Sequence, residues 1–401
     1  MAEFNQWSIT YRPQKLNEVY GASSLKSFVA SATKSGEWPR AMLLTGKYGT
    51  GKTTAAQIIA RTMVCQHLDA EGNPCNECPD CLAVMNETFG RDVKLLGPAD
   101  LSREKDGSIV ESVKKLVAKA NERPFYGSPR KVIIFDEVQE LARQSPAALN
   151  ALLKSLENKN TKTHWIFTSM EPMKGSGITS RMQAYNFYDQ SATDTLKYLV
   201  ALSKRIEHEG QPLWNWCLAN AGADDNERKT FVTHGFLEIA KGSEGSLRTA
   251  TQMLEQCIKT KTFAVDKIRS RFGIVSEDDI MDTFYDLANN NKSDKVLDTL
   301  AQINNQNYTQ FYYFAASYIK DAEMVKCFGK IKKVKSVHNK ETDEDEEVLT
   351  VLGVGDALFD KAERLIKAPN YEKLSNIFLK FNGNGYFSKD LFIAELLKVY
   401  N

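Results

Sequence analysis

The sequence predicts an α/β layer, a parallel sheet with helices on both faces, followed by all-helical segments. Three observations carry this reading. Short apolar runs alternate with longer helical patterns from Ala41 to Thr168. Strand signals stop past about Asp189, and from about Val265 one helical pattern follows another.

The strand candidates are 41–45, 93–96, 132–135 and 165–167, each a run of mostly apolar residues, as expected for strands buried on both faces. One helix is well punctuated: Ser145 can cap it, Pro146 fits its first turn, and 147–156 follow with apolar residues at helical spacing. Further helical patterns run over 195–208 and 246–257, and Ser276, Ser293 and Ser388 stand as caps ahead of later ones. The expected division is therefore an α/β domain, 1–188, and two all-helical domains, 189–264 and 265–401. The basic run 330–335 and the run 341–347, with six acidic side chains in seven positions, read as a solvated, mobile loop.

Composition sets the outer limits. A chain of 401 residues exceeds one ordinary core, so two or three domains are expected. No run of 18 apolar residues occurs and 1–13 lacks a signal-type stretch, so the expected location is the cytoplasm, with no membrane partner. A formal net charge of +1 means that any nucleic-acid contact must come from a local patch.

Two motifs carry chemistry. Gly46-Lys-Tyr48-Gly49-Thr50-Gly51-Lys52-Thr53 lies between a predicted strand and a predicted helix. Its glycines let backbone N–H groups turn toward phosphate oxygens, Lys52 reaches the β- and γ-phosphates, and Thr53 holds Mg2+ through its hydroxyl. Thr54 continues the loop into the helix. A chance glycine turn is the bland alternative, and the flanking elements weigh against it. The second motif is Val132-Ile-Ile-Phe-Asp136-Glu137. Its strand delivers Asp136 to the carboxyl edge of the sheet to order the Mg2+ shell, and Glu137 is placed to polarise water. Together the motifs predict nucleotide hydrolysis.

Four of the seven cysteines cluster as Cys65, Cys75, Cys78 and Cys81. Four thiolates suffice for a closed tetrahedral zinc site that stabilises a small loop; an iron–sulfur cluster and free thiols are the rival readings. Cys217, Cys257 and Cys327 read as scattered apolar side chains.

The stretches Asp136-Glu-Val-Gln-Glu-Leu, Ala148-Leu-Asn-Ala-Leu-Leu-Lys-Ser-Leu-Glu157, Thr168-Ser-Met-Glu-Pro172 and Thr179-Ser-Arg181 resemble the clamp-loader branch of AAA+ ATPases. The likeness is to the gamma/tau subunits of bacterial DNA polymerase III; it begins at Tyr11-Arg12-Pro13 and runs to about Gln256, with a collar likeness beyond. The resemblance implies that Tyr11, Arg12 and Pro13 lie against the nucleotide base, and that Thr168 or Ser169 is the sensor 1 residue. It implies that Arg181 is an arginine finger for the neighbouring subunit's site and that Arg248 is sensor 2 in the lid. The family's four-cysteine insertion at this place implies structural Zn2+. Two residues depart from the family pattern: Met182 stands for its usual Cys and Gln139 for its usual His, as in a distant or viral replication system.

In the family, the helix that starts near Ser108 faces the DNA backbone, so Ser108, Ile109 and Lys114 are the DNA-contact candidates. The implied partners are other loader subunits in a ring or spiral pentamer, a sliding clamp and primer–template DNA. Polymerase tethering is not expected, because the long carboxy-terminal extension that serves it in the family's longer form is not in this sequence. Two rivals are an inactive structural loader subunit, which should lack a working phosphate loop, and a DNA-remodelling helicase motor, which should lack the Ser-Arg motif and the cysteine loop.

Overall fold

The computed structural model describes residues 6–400 except 87–91, 103–107, 123, 125–129, 157–162, 174–180, 222–226, 276, 292–293, 302, 304–307, 329–331, 340–343, 352–355 and 382–388. The chain forms two compact units, Met1–Phe263 and Ala264–Asn401. The segment 189–264, read as a lid, lies within the first up to Phe263.

Five strands build the central sheet: β1 (Ala41–Thr45), β2 (Val93–Leu96), β3 (Lys131–Phe135), β4 (Thr163–Ser169) and β5 (Gln183–Asn186). Their order is β2-β3-β4-β1-β5, and every pairing is parallel. Successive side chains point to opposite faces, so the inner strands feed two cores. Met42, Leu44, Ile134 and Ile166 pack with Ile58 and Ile59 of the helix Lys52–Val64. Leu43, Ile133, Phe135, Trp165 and Phe167 pack on the other face with Leu149, Leu152 and Leu153 of the helix Pro146–Ser155. This two-sided burial is why the three inner strands, β3, β4 and β1, read as apolar runs. β5 escaped the sequence reading because it is an edge strand of sequence Gln-Ala-Tyr-Asn with only Tyr185 buried.

Strand order fixes the site. β4 runs between β3 and β1, pairing Phe167 with Phe135 and Thr168 with Leu44. Thr168 thus extends one residue beyond the end of β3, level with Asp136.

Caps fall where side-chain chemistry allows. Ser145 Oγ accepts from Ala148 N at 3.2 Å, and Ser246 Oγ accepts from Thr249 N at 3.2 Å ahead of the helix Leu247–Lys259. The helix expected over 195–208 is instead Ala192–Arg205, capped by Ser191. Its expected end is taken by a short hairpin, Glu207–His208 with Gln211–Pro212, whose turn residues Glu209 and Gly210 both have positive φ.

In the second unit, Phe284, Phe311, Tyr318, Phe378 and Phe392 share one core. Helices begin at Glu277, Asp294 and Lys389, each one residue after an expected serine cap; the serines themselves lie outside the described residues. The loop expected around 330–347 is corrected by the structure: Lys332–Asn339 pairs antiparallel with Glu344–Val351. Neither strand shows the clean alternation that marks a hairpin in sequence. Among the described residues, no helix is long and apolar enough to cross a membrane.

Candidate nucleotide and metal sites

The loop after β1 is shaped by glycines. Gly46 N donates to Ser169 O at 3.1 Å, and a Cβ on Gly46 would stand 2.2 Å from Phe187 O. At Gly49, φ is 77° and a Cβ would meet Ser246 Oγ at 2.0 Å; Leu247 N donates to Gly49 O at 3.2 Å. Only glycine permits both the left-handed backbone and this close approach of the Leu247–Lys259 helix.

The loop borders a cleft of about 310 Å³. Tyr48, Gly49, Gly51, Lys52, Thr53 and Thr54 line it from the loop, and Asp136, Glu137 and Thr168 from the ends of β3 and β4. Lys52 is 7% exposed and its Nζ donates to Lys47 O at 2.6 Å. Burial pulls its pKa down, while Asp136 and Glu137 oppose that shift. Thr53 Oγ1 donates to Asp136 Oδ1 at 3.1 Å. Thr168 Oγ1 hydrogen-bonds the same carboxylate and accepts from Glu137 N at 3.0 Å.

Of the adjacent pair at the end of β4, Thr168 faces the cleft, whereas Ser169 is fully buried and its Oγ donates to Glu171 O at 2.6 Å. Strand alternation turns the two hydroxyls to opposite sides. Glu137 takes φ 57°, a left-handed conformation unusual outside glycine, at the start of the helix Val138–Gln144.

Arg248 also lines the cleft. Its Nη1 donates to Tyr48 Oη at 2.7 Å, and its guanidinium lies 5.3 Å from the Tyr48 ring centroid. From the amino-terminal segment, Arg12 and Pro13 line the cleft, but Tyr11 does not: it ends the short helix Trp7–Thr10. Gly46 and Thr50 stand behind the lining and shape it, Thr50 Oγ1 donating to Lys47 O at 2.8 Å. Arg181 is exposed and outside this cleft.

Sequence reasoning missed several lining residues. Tyr20 and Tyr198 meet edge to face at 5.3 Å, and Tyr198 Oη hydrogen-bonds Thr251 Oγ1 at 3.0 Å. Nothing in their spacing marks them. Gln57 carried no clear signal either, since it shares its helix face with Thr53, Thr54 and Arg61; its Oε1 accepts from Arg12 Nη1 at 3.2 Å.

The cysteine loop follows the same helix. The Sγ atoms of Cys65, Cys75, Cys78 and Cys81 all lie within 4.8 Å of one another, with Cys65 and Cys75 at 3.5 Å. Tetrahedral zinc with bonds of about 2.3 Å requires sulfur pairs roughly 3.8 Å apart, so the four thiols fit that ion. Backbone N–H groups of His67 and Cys75 donate to Cys65 Sγ at 3.4 Å, and Cys78 N donates to Cys75 Sγ at 3.3 Å. Burial pushes the Cys65 and Cys81 thiols up, while backbone N–H donors hold Cys75 down at about 6 despite desolvation. N–H···S bonds of this kind stabilise thiolate sulfur.

The two departures from the family pattern are packing positions. Gln139 is buried and its Oε1 accepts from Met170 N at 3.3 Å; Met182 is buried in the core beneath β3 and β4. Of the DNA-contact candidates, Ser108 is an exposed cap accepting from Glu111 N at 3.4 Å, Ile109 packs partly into the core, and Lys114 is exposed.

A family model described as "DNA polymerase III, delta subunit" matches residues 21–191. The DNA polymerase III subunit gamma of Buchnera aphidicola is 30% identical over 291 residues, covering 72% of this chain and 70% of that protein. The subunit tau of Bacillus subtilis is 28% identical over 250 residues, 62% of this chain and 38% of that one. Protein STICHEL-like 1 of Arabidopsis thaliana is 29% identical over 278 residues, 68% and 22% respectively. The chain thus spans most of the first relative and well under half of the other two. Identity of this extent with the Buchnera subunit, on a parallel sheet that brings the phosphate loop and the acidic pair to one cleft, makes this chain a member of the gamma/tau family of DNA polymerase III clamp-loader subunits.

Proposed function

We propose that this chain is an ATP-driven subunit of a sliding-clamp loader, which opens a ring clamp and loads it onto primer–template DNA with DNA-stimulated hydrolysis. The observation that carries the reading is the chain of contacts from Thr53 through Asp136 to Thr168 and on to the Glu137 amide, at the mouth of a glycine-shaped loop. Its oxygen donors suit a hard cation, so Thr53 and Asp136 would hold Mg2+. When bound, that ion neutralises charge on the β- and γ-phosphates.

The chain's own groups do the rest. Loop amides and Lys52 hold the phosphates, which requires Lys52 to exchange the Lys47 carbonyl for a phosphate oxygen. Glu137, its backbone fixed by Thr168, orients and polarises the attacking water. Thr168 is the sensor 1 residue of this reading. Arg248, stacked on Tyr48, serves as sensor 2 from the lid, and Arg181 reaches the γ-phosphate of a neighbouring subunit's ATP. Arg12 and Pro13 border the base. The four cysteines hold a structural Zn2+, which fixes the loop and takes no part in hydrolysis. Ser108 and Lys114 contact the DNA backbone, the collar assembles the pentamer, and the location is cytoplasmic.

A second reading, an inactive structural subunit, is favoured by the delta-subunit description of the matched family model. The complete Gly51-Lys52-Thr53 and Asp136-Glu137 sets count against it. One experiment separates the readings: Arg181→Ala and Glu137→Gln proteins are assayed for DNA-stimulated ATP turnover alone and mixed. Each alone should be slower by roughly a hundredfold or more. Mixing should restore activity that rises with concentration, because some interfaces regain both groups. Undiminished turnover in Arg181→Ala would sink the intersubunit role, and strand displacement by the wild type would favour a helicase motor.

A further inference from the structure

A buried guanidinium stands where neither the nucleotide cleft nor the cysteines by themselves require one. Arg61, in the Lys52–Val64 helix, is 3% exposed. Its Nη1 donates to Gln14 Oε1 at 2.7 Å and to Asn76 Oδ1 at 2.6 Å, and Nη2 donates to Gln14 O at 3.3 Å. Gln14 directly follows the cleft-lining Arg12 and Pro13, and its side-chain amide donates back to Arg12 O at 3.0 Å. Asn76 belongs to the cysteine loop, between Cys75 and Cys78, and holds the left-handed φ of 61°. One cation therefore joins the segment that walls the cleft to the loop that gathers the thiols.

The same amino-terminal segment is held at its other end. Trp7 N donates to Glu255 Oε2 at 3.2 Å, on the Leu247–Lys259 helix that carries Arg248. The segment thus spans from the lid helix, past the cleft, to Arg61. Burying a guanidinium is costly, and Arg61 Nε finds no partner among the described residues. Four thiolates around a divalent ion carry a net negative charge, which offsets part of that cost. A planar fork can hold two acceptors on different segments at once, which a lysine ammonium on its flexible stem does less well.

We propose that Arg61 is a positioning residue that makes nucleotide affinity depend on the cysteine loop. A loop closed on its metal fixes Asn76, Asn76 fixes the guanidinium, and the guanidinium fixes Gln14, which keeps Arg12 and Pro13 at the wall of the cleft. The proposal rests on the nucleotide and zinc readings given above. Coupling of this kind is reciprocal, so bound nucleotide should tighten zinc retention by the factor that zinc tightens nucleotide.

The test uses the full chain as wild type, Gln14→Ala, Asn76→Gly and the double variant. Asn76→Gly removes the acceptor and keeps the left-handed backbone. Dissociation constants for a fluorescent ATP analogue, zinc affinity by competition with a chelator, and melting temperature are measured on each. Each single change should weaken nucleotide binding roughly five- to tenfold while leaving zinc content and melting near wild type. The double variant should be no weaker than the weaker single, because both cut one path. Saturating nucleotide should raise zinc affinity in the wild type and not in the variants. Asn76→Asp, which keeps the acceptor, should bind nucleotide nearly as the wild type does. Unchanged nucleotide affinity in both single variants, losses that multiply in the double, or zinc affinity indifferent to nucleotide in the wild type would overturn the proposal. A zinc-bearing wild type that binds no nucleotide would remove the nucleotide reading and this inference with it. A nucleotide-binding wild type that holds no zinc would remove the metal reading instead, and the inference again.

Discussion

The Lys52–Val64 helix has a functional loop at each end, and the two are ordered by opposite means. At its start, residues 46–51 owe their shape to the backbone: positive φ at Gly46, Gly49 and Gly51, with almost nothing required of side chains. At its end, Cys65 begins a loop whose order comes from side chains, four thiols brought within 4.8 Å of one another. On the proposed function, the first loop would present donors to a diffusible anion and let it leave, and the second would gather ligands for an ion that stays. A loop built from amides has no charge to repel itself when empty, whereas one built from thiols depends on its metal or on protonation.

The sharpest break of this contrast is Lys52→Ala. Nucleotide binding should fall below detection in a titration, while metal analysis still finds about one zinc per chain. Nucleotide affinity within twofold of wild type would overturn the phosphate-loop assignment. Next comes Glu137→Gln, where hydrolysis should slow by about 10²–10⁴ with ATP affinity nearly unchanged, since the amide keeps the shape and loses the polarising charge. Parallel losses of binding and turnover would show instead that the residue holds the site together.

Gly49→Ala tests the backbone argument directly. The added Cβ would meet Ser246 Oγ at 2.0 Å in a backbone of φ 77°, a strain of about 1–3 kcal/mol, which should weaken nucleotide binding by roughly tenfold or more. An alanine variant that binds normally would mean the loop tolerates ordinary side chains. Among the variants that weaken nucleotide binding, the smallest loss belongs to Cys78→Ser. Bound zinc should drop and the melting temperature fall on the order of 5–10 °C, with nucleotide affinity weakened by less than tenfold through Arg61. Normal folding and melting of a wild-type protein stripped of metal would remove the zinc assignment.

Much of the fold was legible because burial on two faces writes a strand as an apolar run. The inner strands carry that signature, and β5, with one buried residue of four, does not. The hairpin 332–351 was read as a loop because runs of like charge dominate its sequence and obscure the pairing. At the site, residue types that chemistry demands at fixed spacing could be named from sequence. Choices that depend on which way a side chain turns could not: Thr168 faces the cleft while Ser169 does not, and Tyr11, next to the cleft-lining Arg12, lies off it. Arg61 was invisible, since a cation inside an apolar helix reads as a solvated position until its acceptors, 47 residues upstream and 15 downstream, are seen.

The hydrogen bond from Leu247 N to Gly49 O has a consequence for how the molecule is made. Nearly two hundred residues separate its ends, so the phosphate loop gains one wall only after the chain has been synthesised past residue 247. Until then a ribosome-bound product carries the loop residues and the whole of the sheet without the helix that closes over them. Such long-range closure is slow to form and late to be rewarded. Nascent chains should therefore acquire nucleotide affinity abruptly near the end of the first unit, long after the sheet itself is complete.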